Sequence, residues 1–180
     1  MLKKWFLAAM ASALLVGLSG CTGVPDNVKP VKEFELPKYL GQWYEIARFD
    51  HSFEEGLSEV TATYSMRDDG GVKVINRGFS KEENKWDEAE GKAYFVESET
   101  TGHLKVSFFG PFYASYVIME LDKEGYQYAL ITGPDKDYLW ILARTPKITE
   151  EVRSQLLEKA TAAGYDISKL IWVEHGQPNS

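Results

Sequence analysis

Three histidines, one cysteine and a scatter of carboxylates are the residues of this 180-residue chain that could carry reaction chemistry. His51, His103 and His175 lack the close helical spacing of a metal-binding histidine pair, and no G-x-S-x-G elbow offers an activated serine. His51 and Ser52 are neighbours, but nothing in the sequence supplies the third group that orients a base against a nucleophile, so they read as part of an exposed loop. Glu54, Glu55 and Glu59 read as a solvated acidic face. The expectation is a protein that is not an enzyme, with no catalytic residue, metal or cofactor.

Cys21 takes its meaning from what precedes it. Lys3 and Lys4 lead into Trp5 to Gly20, a run without charge that closes on small residues, which is the layout of a cleaved export signal. The run is short against the roughly 20 apolar residues that cross a bilayer. Leu18-Ser19-Gly20-Cys21 resembles the lipobox of bacterial lipoproteins. That resemblance implies a signal peptide over 1–20, cleavage before Cys21, a diacylglyceryl thioether on its sulfur and an acylated amine, so that acyl chains on Cys21 hold the protein to a membrane. One chain gives marginal attachment, whereas several give stable anchoring. Thr22, where inner-membrane retention commonly needs aspartate, implies by the same resemblance the periplasmic side of the outer membrane of a Gram-negative bacterium.

Charge excludes other partners. The 20 basic residues less Lys3 and Lys4 leave 18 against 27 acidic ones, a formal charge of −9 after cleavage. Nucleic acid needs clustered positive charge and is not an expected partner. A lone cysteine permits no intrachain disulfide.

The elements that must position a site come after the export segment. Thr22 to Leu36 carries Pro25 and Pro30 among polar residues with no period, so 21–36 reads as a lipidated anchor and extended tether reaching roughly 50 Å at full stretch. From Trp43 onward, short alternating segments separated by turn residues indicate an all-β barrel or sandwich. Eight strands are expected: Trp43 to Asp50, Val60 to Met66, Val72 to Phe79, Trp86 to Val96, His103 to Phe109, Tyr116 to Leu121, Tyr126 to Thr132 and Tyr138 to Arg144. Thr149 can cap a helix with Glu150 and Glu151 in its first turn, and Val152, Leu156, Ala160 and Ala163 form one apolar stripe ending at Gly164. A short strand over Leu170 to Val173 and a tail over 176–180 close the chain.

Gly41-Gln42-Trp43 resembles the GxW motif of the lipocalin family, Gly133 to Tyr138 is similar to its second motif, and Arg144 matches its third. Trp43-Tyr44-Glu45-Ile46-Ala47-Arg48 and Val106 to Phe112 resemble the bacterial outer-membrane members in particular. The resemblance implies an eight-stranded antiparallel up-and-down β-barrel over 37–175 with one C-terminal helix outside it. It also implies that Gly41, Trp43 and Arg144 close one end.

A barrel of eight strands either fills with its own side chains or holds one small ligand; lipocalins are the standing example of the second outcome. Apolar faces turned inward give Tyr64, Val74, Phe95, Val106, Phe108, Tyr116 and Trp140 as the expected ligand contacts, beside Val60, Ala62, Val72, Ala93, Leu104, Ile118, Tyr138 and Leu142. By resemblance the guest is a fatty acid or lysophospholipid, such as a palmitate-length chain. About sixteen carbons at about 0.8 kcal/mol per methylene gain up to roughly 12 kcal/mol, of which association takes several. Lys92, Arg77 and Lys105 are candidates to meet its head at the open mouth. Storage or transport of such a lipid suits envelope maintenance or stress. The alternatives are a tetrapyrrole, for which His103 is the one histidine on a strand, and a structural or protein-binding envelope role. For the latter, Phe109, Phe112 and Tyr113 would form an exposed patch at the barrel rim that supports a homodimer or holds lipid headgroups.

Overall fold

The computed structural model describes residues 22–176; the expected signal segment, the expected lipidation site at Cys21 and the last tail residues 177–180 lie outside the described residues. A short turn of helix, α1 (Leu36–Tyr39), leads into β1 (Gly41–Phe49), β2 (Leu57–Met66), β3 (Val72–Ser80) and β4 (Lys85–Phe95). The chain continues through β5 (His103–Ser107), β6 (Ala114–Leu121), β7 (Tyr128–Thr132), β8 (Leu139–Ala143), α2 (Glu150–Ala162) and β9 (Leu170–Trp172). Every barrel strand pairs antiparallel with its sequence neighbour, and β1 closes the circle by pairing with both β2 (Trp43 opposite Ala62) and β8 (Tyr44 opposite Ala143). The result is a closed eight-stranded barrel, with β9 added outside along Ala47 to Phe49 where β2 has diverged from β1.

Alternation along the strands builds two separate cores. The inner one gathers Trp43, Ala62, Tyr64, Val72, Val74, Ala93, Leu104, Ile118 and Leu142. The outer one lies between the barrel wall and α2, where Val117, Leu130 and Ile141 meet Leu156, Ala160 and Ala163. The helix starts as its sequence dictates, with Thr149 accepting a hydrogen bond from the Val152 amide at 3.3 Å and Glu150 and Glu151 at the positive end of the dipole. It stops at Gly164, whose φ of +88° suits glycine.

A single irregularity in β1 changes which side chains face the interior. The register against β8 skips between Glu45 and Ala47, so Ile46 and Ala47 both pack outward while Glu45 and Arg48 both turn into the barrel. A β-bulge has this effect because one extra residue shifts the alternation of every position after it.

Residues 22–36 do not form a free tether. The Ser115 hydroxyl donates to the Gly23 carbonyl at 2.6 Å, the Val31 amide to Ile118 O at 2.9 Å, the Gly102 amide to Val31 O at 2.9 Å and the Phe34 amide to Thr100 O at 2.9 Å. Val24 and Val28 join the outer core, and Phe34 is buried in the inner one. The segment is extended because it is strapped along β5 and β6, held by apolar residues at every third or fourth position that match neither helix nor strand period. Gly102 admits the strap: a Cβ there would lie 2.7 Å from a Val31 methyl.

Gly102→Ala is expected to lower the unfolding free energy by about 1–3 kcal/mol through overpacking, read as a lower denaturant midpoint at unchanged slope. An unaltered midpoint would mean that the strap adds nothing to stability.

Candidate ligand-binding site

The barrel has two unlike ends. At one, Trp43 is fully buried and donates its Nε1–H to Tyr39 O at 2.8 Å, while the Arg144 guanidinium carbon lies 4.0 Å over its ring. Arg144 also donates to Gln42 O at 2.8 Å, Lys38 O at 2.8 Å, Leu40 O at 2.9 Å and Tyr126 O at 3.2 Å. One planar cation thereby ties α1, the start of β1 and the β6–β7 turn across the barrel end, which a lysine point charge could not do. Gly41 enters beneath it at φ +95°, the left-handed region that favours glycine.

Above this plug lies a second layer made of three phenols. Tyr39 and Tyr64 each place their hydroxyl against that of Tyr116, at 2.7 and 2.8 Å. Burial pushes all three well above the ordinary phenol range, so they remain neutral donors and acceptors. Higher still, Val106, Phe108 and Trp140 pack onto the inner core yet, like Tyr116, keep part of their surface reachable, whereas Trp43, Ile118 and Ile131 are closed off. Phe108 is seated by Gly91, where a Cβ would lie 2.8 Å from its ring. These partly reachable inward side chains lie toward the end opposite Trp43. Of the other expected contacts, Val74 belongs to the inner core, and Phe95 meets Phe34 edge-on at 6.0 Å near the closed end.

A polar collar lies inside the barrel toward its mouth. Arg48 donates to Glu45 Oε1 at 2.9 Å and to the carbonyls of Glu54 (2.8 Å) and Leu57 (3.2 Å), fixing the β1–β2 loop. Trp140 Nε1–H donates to Glu54 Oε2 at 3.1 Å. Burial, reinforced by Glu54 and opposed by Arg48, pushes the Glu45 carboxyl up to about 8, and burial raises Glu54 as well. Arg48 thus faces two carboxyl groups, Glu45 Oε1 at 2.9 Å and Glu54 Oε2 at 3.9 Å, both raised by burial.

Several expectations fail here for identifiable reasons. Glu54 is buried in this collar and is not part of a solvated face. His51 is sandwiched between Tyr138 (ring centroids 4.3 Å apart) and Phe53 (5.3 Å) instead of lying open in a loop. Arg77, Lys92 and Lys105 all lie on the outer wall: Arg77 pairs with Thr61, which pairs in turn with the outer-core residue Tyr44, Lys92 pairs with Ser107, and Lys105 pairs with Ser115 beneath the strap. Arg77 instead stacks on Trp86 at 3.8 Å. His103 also faces outward, opposite Val117 and 3.3 Å from the Ser115 hydroxyl, so it cannot ligate a group held inside. The cation that does face inward, Arg48, escaped sequence reading because strict alternation from Trp43 places it outside.

Comparison with known proteins agrees with this architecture. A family model described as "Lipocalin-like domain" matches residues 34–175. "Outer membrane lipoprotein Blc" of Vibrio cholerae serotype O1 is 57% identical over 157 residues, covering 87% of this chain and 92% of that protein. The protein of the same name from Escherichia coli K12 is 55% identical over 173 residues, 96% of each chain. "Temperature-induced lipocalin-1" of Arabidopsis thaliana is 38% identical, over 86% of this chain and 84% of its own. Among solved structures, insecticyanin from the tobacco hornworm Manduca sexta superposes with a TM-score of 0.69 at 24% identity, covering 86% of this chain and 88% of its own, a likeness of fold.

Because the Glu45 carboxyl is raised from 4.5 to about 8, the folded chain holds a proton there that the unfolded chain releases. Stability should therefore fall as pH rises through that window. Glu45→Gln should flatten this stretch of a pH–denaturation curve; a slope that survives the substitution would place the titration elsewhere.

Proposed function

Since this chain belongs to the lipocalin family, a family of carriers of small hydrophobic ligands, we propose that it binds a lipid with a long acyl chain, a fatty acid or lysophospholipid, in its barrel. On this reading it stores or moves that lipid at the outer membrane, in envelope maintenance or stress, as a carrier and not a catalyst. The chain's similarity to proteins named outer membrane lipoprotein supports the location. It also supports removal of residues 1–20 and acylation of Cys21.

The observation that carries the reading is the unlikeness of the barrel's two ends, one sealed by Trp43 and Arg144 and the other bearing the inward, partly reachable Val106, Phe108 and Trp140. The barrel's apolar inner wall suits a hydrocarbon chain. Its polar elements lie at two levels, the hydroxyls of Tyr64 and Tyr116 below and the collar of Glu45, Arg48, Glu54 and Trp140 above. An acyl chain fits between them with its head toward the mouth. The outward-facing His103 counts against an axially ligated tetrapyrrole.

Titrating the purified protein with a lysophospholipid while following tryptophan fluorescence should give a saturable change at one equivalent. Trp140→Ala should weaken binding about 10- to 100-fold, the loss of roughly 1.4–2.8 kcal/mol of apolar contact. Trp86→Ala, on the outer wall, should leave it nearly unchanged. No response to any amphiphile would point to a structural envelope role, and organic extraction with mass measurement of the extract identifies the guest carried from the cell.

A further inference from the structure

The two ends of the barrel differ in the exposed apolar side chains they carry. Charge is found at both: Arg67, Asp68 and Asp69, Glu97 and Glu99, and Asp122, Lys123 and Glu124 in the loops of the sealed end, and Asp50 and Glu55, Lys81, Glu82 and Glu83, and Asp135, Lys136 and Asp137 in three of the four loops at the mouth. At the mouth, the β5–β6 loop reads Phe108-Phe109-Gly110-Pro111-Phe112-Tyr113, without a charge, and Phe109 and Phe112 are 84% and 72% exposed. Phe53 in the β1–β2 loop is 62% exposed, and Trp86 at the mouth end of β4 stands out beside them. The three most exposed large apolar side chains among the described residues thus share one rim.

The path of the chain adds an independent constraint. The strap enters the described structure at the same rim: Gly23 is held by Ser115, the second residue of β6 and two past Tyr113. It then runs down the outer wall, reaching Ile118 at Val31 and Thr100 at Phe34 before it turns under the sealed end. Covalent geometry alone places Cys21 within about 7 Å of Gly23, two residues at about 3.3–3.6 Å each. An anchor on Cys21 would therefore leave the barrel beside the Phe109–Phe112 loop, and no long spacer separates the two.

We infer that the mouth rim is a bilayer-docking surface: Phe53, Phe109 and Phe112 enter the interfacial layer of the phospholipid leaflet that holds the anchor, and the barrel interior faces that leaflet. The inference rests on the acylation of Cys21 given under the proposed function. Exposed aromatic side chains suit the headgroup–acyl boundary, being apolar bodies that insert without crossing. The chain's net negative charge supplies no electrostatic attraction to anionic lipid, which leaves apolar insertion and the anchor as the contacts. Guest exchange then passes between leaflet and barrel without crossing open water.

The test uses the full chain, matured in cells and reconstituted in phosphatidylethanolamine–phosphatidylglycerol vesicles. An environment-sensitive fluorophore is attached at Phe109→Cys or Phe112→Cys, with Met66→Cys at the sealed end as the control, since acylation occupies Cys21. Docking predicts a blue shift and a severalfold drop in iodide quenching at 109 and 112 on vesicles relative to detergent, with position 66 unchanged. Phe109→Asp/Phe112→Asp should return a probe at Phe53→Cys to full quenching while lysophospholipid binding persists. Equal quenching at the rim and at 66, or protection at 66 alone, overturns the orientation. Rim protection that arises in detergent and grows with protein concentration assigns the surface to a second copy and also overturns it. A mature chain lacking the mass of its acyl groups refutes the anchoring itself, an outcome separate from an acylated chain whose rim stays in water.

Discussion

The architecture depends on how Arg144 is held. Its guanidinium covers the buried face of Trp43 and meets backbone carbonyls from α1, from the start of β1 and from the β6–β7 turn. A barrel closed only by strand pairing would be open at both ends; this contact draws the incoming chain beneath the strands and seals one of them. The cost of burying part of a positive charge is met by those carbonyls and by the ring quadrupole, each aligned with one plane of the guanidinium. Because the arginine lies just past β8 and the indole on β1, the seal also joins the last barrel strand to the first.

A second constraint works against the first. The bulge in β1 turns Arg48 into the interior beside the inward carboxyl group of Glu45, and Glu54 folds in to meet them. Buried charge of this kind contributes little net stability but fixes geometry, since only one arrangement of the β1–β2 loop satisfies it. The interior is therefore layered: an aromatic plug, a tier of phenols, an apolar wall and a charged collar.

Much of this was legible in the sequence. Period-2 alternation located every barrel strand to within a few residues, and the stripe of Val152, Leu156, Ala160 and Ala163 lies against the barrel as its spacing requires. What could not be read has a common cause: alternation describes two faces but is blind to a shift between them. Ile46 and Ala47 are both apolar, so nothing in their types discloses the skipped register that turns Arg48 inward. Glu54 carries the same letter whether solvated or buried, and only the fold brings Trp140 to it. The strap residues Val24, Val28, Val31 and Phe34 obey no secondary-structure period because they track the surface of β5 and β6 instead of a sheet or helix of their own.

The phenol tier also sets a distance. Tyr64 stands seven residues from Leu57 at the rim, and a strand rise of about 3.3 Å at a tilt near 40° sets them roughly 18 Å apart along the barrel axis. For an acyl chain held as proposed, a methyl terminus reaching the linked hydroxyls would gain nothing by going further, so that tier would act as a ruler. On that proposal, hydrocarbon longer than this span would protrude beyond the rim and shorter hydrocarbon would leave wall uncovered, grading guests by length through a floor set with oxygen.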